Sequence, residues 1–342
     1  MIFDEAEKSI QKRIMGVWDT RVSKPALGCL LIFIEELKIQ QFIHKAEHID
    51  VCFLVDAEQI ASGNKVQFKR NGPLSILDKE WCEQSLPLKT LFDIDNITFY
   101  YKCDSLASLQ KFVSTSAYEY IVWPSKDGQV ITDYDFDTTL GVQGFFKKYL
   151  FIPYLSCRSE LTEWAMNFLQ NYVSPRIPVV VHLKNNPGDR RCSNADFDAW
   201  IGFFEACSRY DVKFILIGNE EIDKRLYIFP NILIARDLES SLSRDLALIQ
   251  GAAVFMGMAS GLSLMALFSD IPYILYKNPD HHTDAMRREL GAEDQYPFAT
   301  QMQKIFRVAE TKENLLSNFD LLYNDVHRYY VDKKRRESGR LQ

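Results

Sequence analysis

The chain has 342 residues, 47% apolar and 25% charged, with 15 glycines and 12 prolines. That composition excludes a disordered chain, a collagen-like repeat and a small disulfide-stapled module, and the length suits two domains, each with its own core. Forty basic against 46 acidic residues leave a net charge of -6, which argues against nucleic acid as a partner. Seven cysteines, Cys29, Cys52, Cys82, Cys103, Cys157, Cys192 and Cys207, are scattered and never spaced C-x-x-C. They predict reduced thiols in a cytoplasmic protein and no zinc site. The opening Met1-Ile2-Phe3-Asp4-Glu5-Ala6-Glu7-Lys8 is charged at once, unlike a signal peptide. The most apolar run, Ala26 to Ile34, ends at Glu35-Glu36. A bilayer span needs about 20 such residues, so this run reads as a core element of a soluble chain.

Short apolar runs alternate with amphipathic stretches, the pattern of an α/β protein with largely parallel sheets. In the first half, a helix is predicted from Ala26 to His44, followed by strands at Ile49–Val55, Ile97–Tyr101 and Tyr118–Trp123. A turn at Pro124–Gln129 uses Asp127-Gly128 for its positive-φ positions. Helices then follow from about Thr138 to Tyr149 and from Ser159 to Tyr172. The second half is more regular. Strands are predicted at Ile177–Leu183, Val212–Ile217, Ile232–Ala235, Ala253–Met256 and Tyr273–Tyr276. Helices between them cover Ala195–Ser208, Ser241–Gln250 and Gly261–Phe268. Five strands with helical crossovers make a Rossmann-like unit whose ligand crevice lies beyond the carboxyl ends of the strands. The expected architecture is two Rossmann-like domains facing a cleft. Residues 1–173 form the first domain and 176–310 the second, with the joint at Ser174-Pro175-Arg176. Residues 311–342 then supply a last helix, Lys312–Tyr330, packing back over the first domain, and a basic tail.

Two segments carry the chemistry. The strand Val179-Val180-Val181-His182-Leu183 runs into Lys184-Asn185-Asn186-Pro187-Gly188-Asp189-Arg190-Arg191. Lys184 there suits a diphosphate, and Gly188 lets backbone approach it closely; the competing reading is a solvated turn with an Asp189–arginine ion pair. The second segment, Ala252 to Ala266, reads as a strand, a small-residue turn and a helix beginning with Ser260, Gly261 and Ser263. Free N–H groups at such a start favour a phosphate, although Ser260 alone also reads as a plain cap.

Residues 176 to 290 resemble the nucleotide-sugar-binding half of a GT-B glycosyltransferase. The turn Ser260-Gly261-Leu262-Ser263 is similar to the serine-glycine turn of the heptosyltransferase family. His182-Leu183-Lys184 with Gly188-Asp189 is similar to the His-x-Arg and Gly-Asp elements of the fucosyltransferase superfamily. The resemblance implies a donor diphosphate at these loops. It places the base and ribose near Gly218-Asn219-Glu220 and Arg236-Asp237. Three positions depart from the pattern. Ala259 stands where heptosyltransferase-like turns carry Asp, and Lys184 where the fucosyltransferase motif carries Arg. Gly28-Cys29 stands where related first helices open with Gly-Asp.

Weaker signals remain. Asp93-Ile94-Asp95 and Asp133-Tyr134-Asp135 match the metal-binding Asp-x-Asp of GT-A enzymes, a triplet that chance supplies easily in an acidic chain. His281-His282-Thr283-Asp284 either touches a ligand or caps a helix, and His44, His48 and His327 read as structural. Gly144 to Phe151 mixes aromatics with Lys147 and Lys148, as an amphipathic core helix or a peripheral lipid contact would. Lys333-Lys334-Arg335-Arg336 reads as a solvated end. Neither Gly-x-Ser-x-Gly, nor a P-loop, nor a dinucleotide Gly-x-Gly-x-x-Gly occurs.

The sequence therefore predicts a metal-independent glycosyltransferase with no cofactor beyond its nucleotide-sugar donor and a glycan or lipid-linked acceptor. Lys184 and His182 form the catalytic set. Asn186, Gly188, Gly218, Asn219, Arg236, Asp237, Ser260, Gly261 and Ser263 hold the donor. Asp19, Glu35 and Asp133 are the carboxylates available as a base. The alternative is a catalytically silent module that binds a sugar or nucleotide.

Overall fold

The strand Ile177–His182 is buried at every position, as expected of a parallel strand covered on both faces. It forms the centre of the larger of two sheets in the computed structural model, which describes residues 11–20, 22, 26–54, 92–100, 105–134, 136–186, 191–280, 283–290 and 295–339. The chain divides into two compact units, Met1–Asp137 and Thr138–Gln342.

In the first unit, β1 (Lys12–Asp19), β2 (His48–Leu54), β3 (Asn96–Tyr100) and β4 (Glu119–Trp123) pair in the order β3-β2-β1-β4, all parallel. Helix α1 (Leu27–His44) lies on this sheet, and α2 (Ser105–Thr115) follows β3. Phe33 and Leu37 of α1 fill the space over Gly16, where an added Cβ would stand 2.8 Å from the Phe33 ring. Trp18 meets Phe33 edge-on at 5.4 Å and stacks on Phe136 at 4.8 Å. A two-stranded ribbon, β5 (Ser125–Lys126) with β6 (Gln129–Val130), turns through Asp127 (φ 50) and Gly128 (φ 77), as the sequence predicts.

The second unit opens with α3 (Leu140–Tyr149) and α4 (Ser159–Tyr172). Its strands are β7 (Ile177–His182), β8 (Val212–Ile217), β9 (Ile232–Ile234), β10 (Val254–Met258), β11 (Tyr273–Tyr276) and β12 (Gln303–Phe306). Their order is β12-β11-β10-β7-β8-β9, all parallel. The chain builds outward from β7 on one side and then from β10 on the other, so the strand order reverses between β7 and β10. Ligands of open α/β sheets collect at that reversal.

Helix α5 (Phe197–Ala206) and the last helix, α9 (Lys312–Gly339), cover one face of this sheet. Trp200, Phe203, Phe204, Phe214 and Phe319 form an aromatic core there, each under 2% exposed. Burying a Phe side chain contributes roughly 1.5–3 kcal/mol, so these five dominate the packing. Asp196 caps α5 by accepting from the Asp198 and Ala199 N–H groups. Helices α6 (Leu242–Gly251), α7 (Ser263–Leu267) and α8 (Thr283–Leu290) complete the unit.

Three expectations change. The joint falls at Asp137/Thr138 instead of Ser174–Arg176, because α3, α4 and the segment between them are tied to the second unit. Thr139 Oγ1 donates to Glu289 at 2.6 Å, Leu155 N–H to Phe268 O at 2.8 Å and Cys157 N–H to Gln250 at 2.8 Å. The last helix, expected over the first domain, buries Leu315, Phe319, Leu322 and Val326 in the core of the second unit. The second sheet has six strands rather than five. No helix among the described residues is long and apolar enough to cross a membrane.

Candidate functional site

His182 ends β7 beside the strand-order reversal, and its ring is 4% exposed. Alternation sends Val179, Val181 and Leu183 into the core under α5, so His182 faces the other side of the sheet. Its Nδ1 lies 2.9 Å from Ser260 Oγ in the loop after β10, and its Nε2 lies 3.0 Å from Glu220 Oε1 in the loop after β8. One imidazole thus ties together three strand ends.

Two glycines make this contact geometrically possible. Gly257 pairs with His182 across β10 and β7 at φ 147, and the His182 carbonyl occupies the space a side chain would need. Gly218 has φ 108, and a Cβ there would stand 2.8 Å from His182 Cδ2 and against the Glu220 carboxylate. Gly218 N–H donates to Asp245 Oδ2 of α6 at 3.1 Å, while Arg236 Nη2 donates to Gly218 O at 2.8 Å. Ser240 also donates its hydroxyl to Asp245.

The charges follow from these contacts. Burial pushes the Glu220 carboxyl up, but the hydrogen bond and charge of His182, with the Glu220 and Asn219 backbone N–H groups, outweigh it. The carboxyl is held below the ordinary glutamate range. Burial dominates at Asp245 and raises its carboxyl, against the opposing pull of Ser240, Gly218 N–H, Arg236 and His182. Lys277, after β11, is lowered to about 8 by burial and by the charges of Arg307 and Lys184, against the attraction of Glu289.

The predicted donor residues fall into two groups. Gly218, Asn219, Arg236 and Asp237 all line a hollow of about 350 Å³ beyond β8 and β9, with Ile222 and Tyr227 on its wall. Lys184, His182, Asn186, Ser260, Gly261 and Ser263 belong to the ends of β7 and β10. Asn186 is fixed by Asn194, which accepts from its N–H at 3.0 Å and donates to its carbonyl at 2.8 Å. Ala195 N–H donates to Lys184 O at 2.8 Å. Gly188 and His281-His282 lie outside the described residues, as does Asp135.

The Ser260 turn differs in detail from its prediction. The helix starts at Ser263 and covers only five residues. Ser263, 3% exposed, donates its hydroxyl to Ser260 O at 2.7 Å and accepts Ser260 N–H at 3.1 Å. It shapes the turn internally. Among the described residues, Gly261 and Leu262 provide the N–H groups that this turn does not itself consume.

A second hollow, about 520 Å³, lies at the start of α5. Glu310 on its wall accepts from Trp200 Nε1 at 2.5 Å and from Asp196 N–H at 3.2 Å. Burial raises its carboxyl to about 7.

The three carboxylates offered as a base occupy different settings. Asp19 ends β1, beside the reversal between β1 and β4 in the first sheet. Glu35 is 0% exposed, neither carboxyl oxygen has a hydrogen-bond partner, and burial raises it well above the usual range. Asp133 lies exposed in a bend. Asp95, from the first Asp-x-Asp, is bound by Arg13 at 2.8 Å and His48 at 2.5 Å. Among the described residues no group of three His, Cys, Asp or Glu side chains is placed to hold a metal.

The sequence placed Glu220 in the base-and-ribose loop with Gly218 and Asn219, but not against His182. Asp245, Gly257 and Lys277 carried no signal that separates them from ordinary helix and strand residues.

No protein-family model matches the chain, and no curated protein matches it in sequence. Among solved structures it is similar to the glycosyl transferase family 9 protein from Veillonella parvula DSM 2008. The TM-score is 0.54 at 9% identity, over 92% of this chain and 97% of that one. It is also similar to E. coli heptosyltransferase WaaC with ADP, with TM-score 0.46 and 15% identity over 90% and 99% of the two chains. For E. coli ADP-heptose lps heptosyltransferase II the TM-score is 0.48 at 12% identity, covering 92% and 98%. At these identities the likeness is one of fold. With parallel sheets in both units, the chain has the α/β fold of the GT-B glycosyltransferases.

Proposed function

We propose that the protein is a cytoplasmic glycosyltransferase that moves a sugar from a nucleoside-diphosphate donor to a glycan or lipid-linked acceptor without a metal. The observation that carries this reading is the convergence of His182, Ser260 and Glu220 at the strand-order reversal, beside the Gly218–Asp237 hollow. At about 350 Å³ the hollow is in the size range of small-molecule sites, and it takes the nucleoside. The fold shared with a protein described as a glycosyl transferase supports the same class.

In this reading the Lys184 ammonium and the Gly261 and Leu262 N–H groups stabilise the negative charge that develops on the departing diphosphate. His182 holds the three loops in register. The carboxylates offered as the acceptor's base, Asp19, Glu35 and Asp133, all belong to the first unit. A lipid-linked acceptor suits the surface after α3, where Leu150 is 78% and Phe151 40% exposed beside Lys147 and Lys148.

A panel of UDP-, GDP-, ADP-, CMP- and dTDP-sugars tests the proposal, with nucleotide release and sugar transfer as readouts. Transfer from one donor supports it. A nucleotide that raises the melting temperature while no sugar moves would favour the silent binding module, for which Ala259 and Cys29 speak.

A further inference from the structure

Cations from three strand ends gather on one face of the second sheet. Lys277 follows β11 and Arg307 follows β12, and these strands pair Tyr276 with Phe306. The two cations therefore leave neighbouring strands side by side, with Lys277 N–H donating to Phe306 O at 3.0 Å. Tyr276 and Phe306 pack into the core under α5, as do Val181 and Leu183 of the β7 segment. By alternation Lys277 and Arg307 face the opposite side of the sheet, the side of His182 and Lys184.

The surroundings leave these charges short of partners. Neither Lys277 nor Arg307 forms an ion pair among the described residues. Glu289 of α8 attracts Lys277, but its Oε1 already accepts from Thr139 N–H at 2.7 Å and Thr139 Oγ1 at 2.6 Å. Arg307 donates from Nη2 to Pro279 O at 3.0 Å, and its buried Nε–H has no partner. A guanidinium carries five N–H donors, so Arg307 lacks acceptors where it stands. Burial, together with the charges of Arg307 and Lys184, lowers Lys277 to about 8 against the pull of Glu289. That is the condition of a cation held beside others without a counterion.

Strand order indicates which anion belongs there. From one edge the sheet runs β9, β8, β7, β10, β11, β12. The hollow read as the nucleoside site lies beyond β8 and β9, and the diphosphate is read at the ends of β7 and β10. Neighbouring strands are about 4.8 Å apart. A donor laid across the strand ends in this order brings its sugar to β11, one spacing past the diphosphate.

We propose that Lys277 and Arg307 form an anion subsite for a carboxylate on the transferred sugar, so that the donor is a nucleoside diphosphate carrying a uronic-acid-type sugar. The planar fork of Arg307 suits a carboxylate, and Lys277 supplies a point charge beside it. Both residues bind the sugar, and neither makes or breaks a bond. The proposal rests on the reading of the second unit as the donor-binding one.

Calorimetry on the full chain tests it with two donors on the nucleotide that the panel selects, one carrying glucose and the other glucuronate. UDP-glucose and UDP-glucuronate are such a pair. The glucuronate form should bind about tenfold more tightly, the gain expected of a hydrogen-bonded charge contact. Lys277→Met and Arg307→Met should each remove most of that preference. Equal affinity for the two forms, or a preference that survives in both variants, would overturn the proposal. A loss of affinity equal for both forms would place the cations on the diphosphate and overturn it too. If no nucleotide of the panel binds, the donor reading fails, and NMR of the ¹³C-lysine-labelled chain decides the subsite alone. The Lys277 signal is assigned by its loss in Lys277→Met. Movement of that signal by glucuronate, but not by glucose or by chloride at matched ionic strength, would retain the subsite. No movement by glucuronate would remove it.

Discussion

Gly257 of β10 stands opposite His182 of β7, and the His182 carbonyl oxygen fills the space where a side chain on Gly257 would begin. With φ at 147, the backbone there is also one that other residues rarely adopt. Gly257→Ala should therefore lower stability by about 2–4 kcal/mol, from strain and overpacking together. Urea denaturation measures it, and a loss below about 1 kcal/mol would contradict the close approach of the two strands.

Lys184→Ala should weaken nucleoside-diphosphate binding with little loss of stability. A hydrogen bond to a charged group contributes roughly 1.5–3 kcal/mol, or about ten- to a hundredfold in affinity. Calorimetry on the folded variant decides the matter. Unchanged affinity would remove Lys184 from the site.

Glu310 gives the second unit a pH dependence of definite sign. Its carboxyl is raised to about 7 when folded, against 4.5 for an ordinary glutamate. Between those values the folded chain binds more protons than the unfolded one, so stability from this group falls as pH rises. The full effect is about 3 kcal/mol at most. Glu310→Gln should flatten the stability profile between about pH 4.5 and 7. An unchanged slope in that window would show that another group is responsible.

Glycosyl transfer, once a donor is found, should survive EDTA. In the proposed reading, Lys184 and the Gly261 and Leu262 N–H groups neutralise the leaving diphosphate in place of a metal. Complete loss with EDTA and rescue by Mn²⁺ would instead direct attention to Asp133 and the acidic triplet around it.

Much of the second unit was legible because its strands are largely apolar runs. Ile177–His182, Val212–Ile217 and Tyr273–Tyr276 stand out from their polar surroundings. Strand β1 was not legible. It opens with Lys12-Arg13 and carries Gly16 at mid-strand, and only the fold shows why. Arg13 is buried through its bonds to Asp50 at 2.7 and 3.0 Å, while Gly16 makes room for Phe33 and Leu37. The loops of the site could be located, since polar residues following an apolar strand mark its carboxyl end. Their linkage could not. His182 reaches Glu220 across 38 residues and Ser260 across 78, distances over which local patterning carries no information. The division at Asp137 was hidden for a similar reason. Thr139, Leu155 and Cys157 show no sign in sequence of bonding to Glu289, Phe268 and Gln250.

The central claim is that a nucleotide-sugar is held at the carboxyl ends of β7, β8 and β10. Amide hydrogen exchange, with and without the best-binding donor of the panel, tests it without any mutation. Exchange should slow in peptides covering residues 182–186, 216–222 and 258–263 when the donor is present. A donor that binds while protecting only residues outside these three segments would contradict the account.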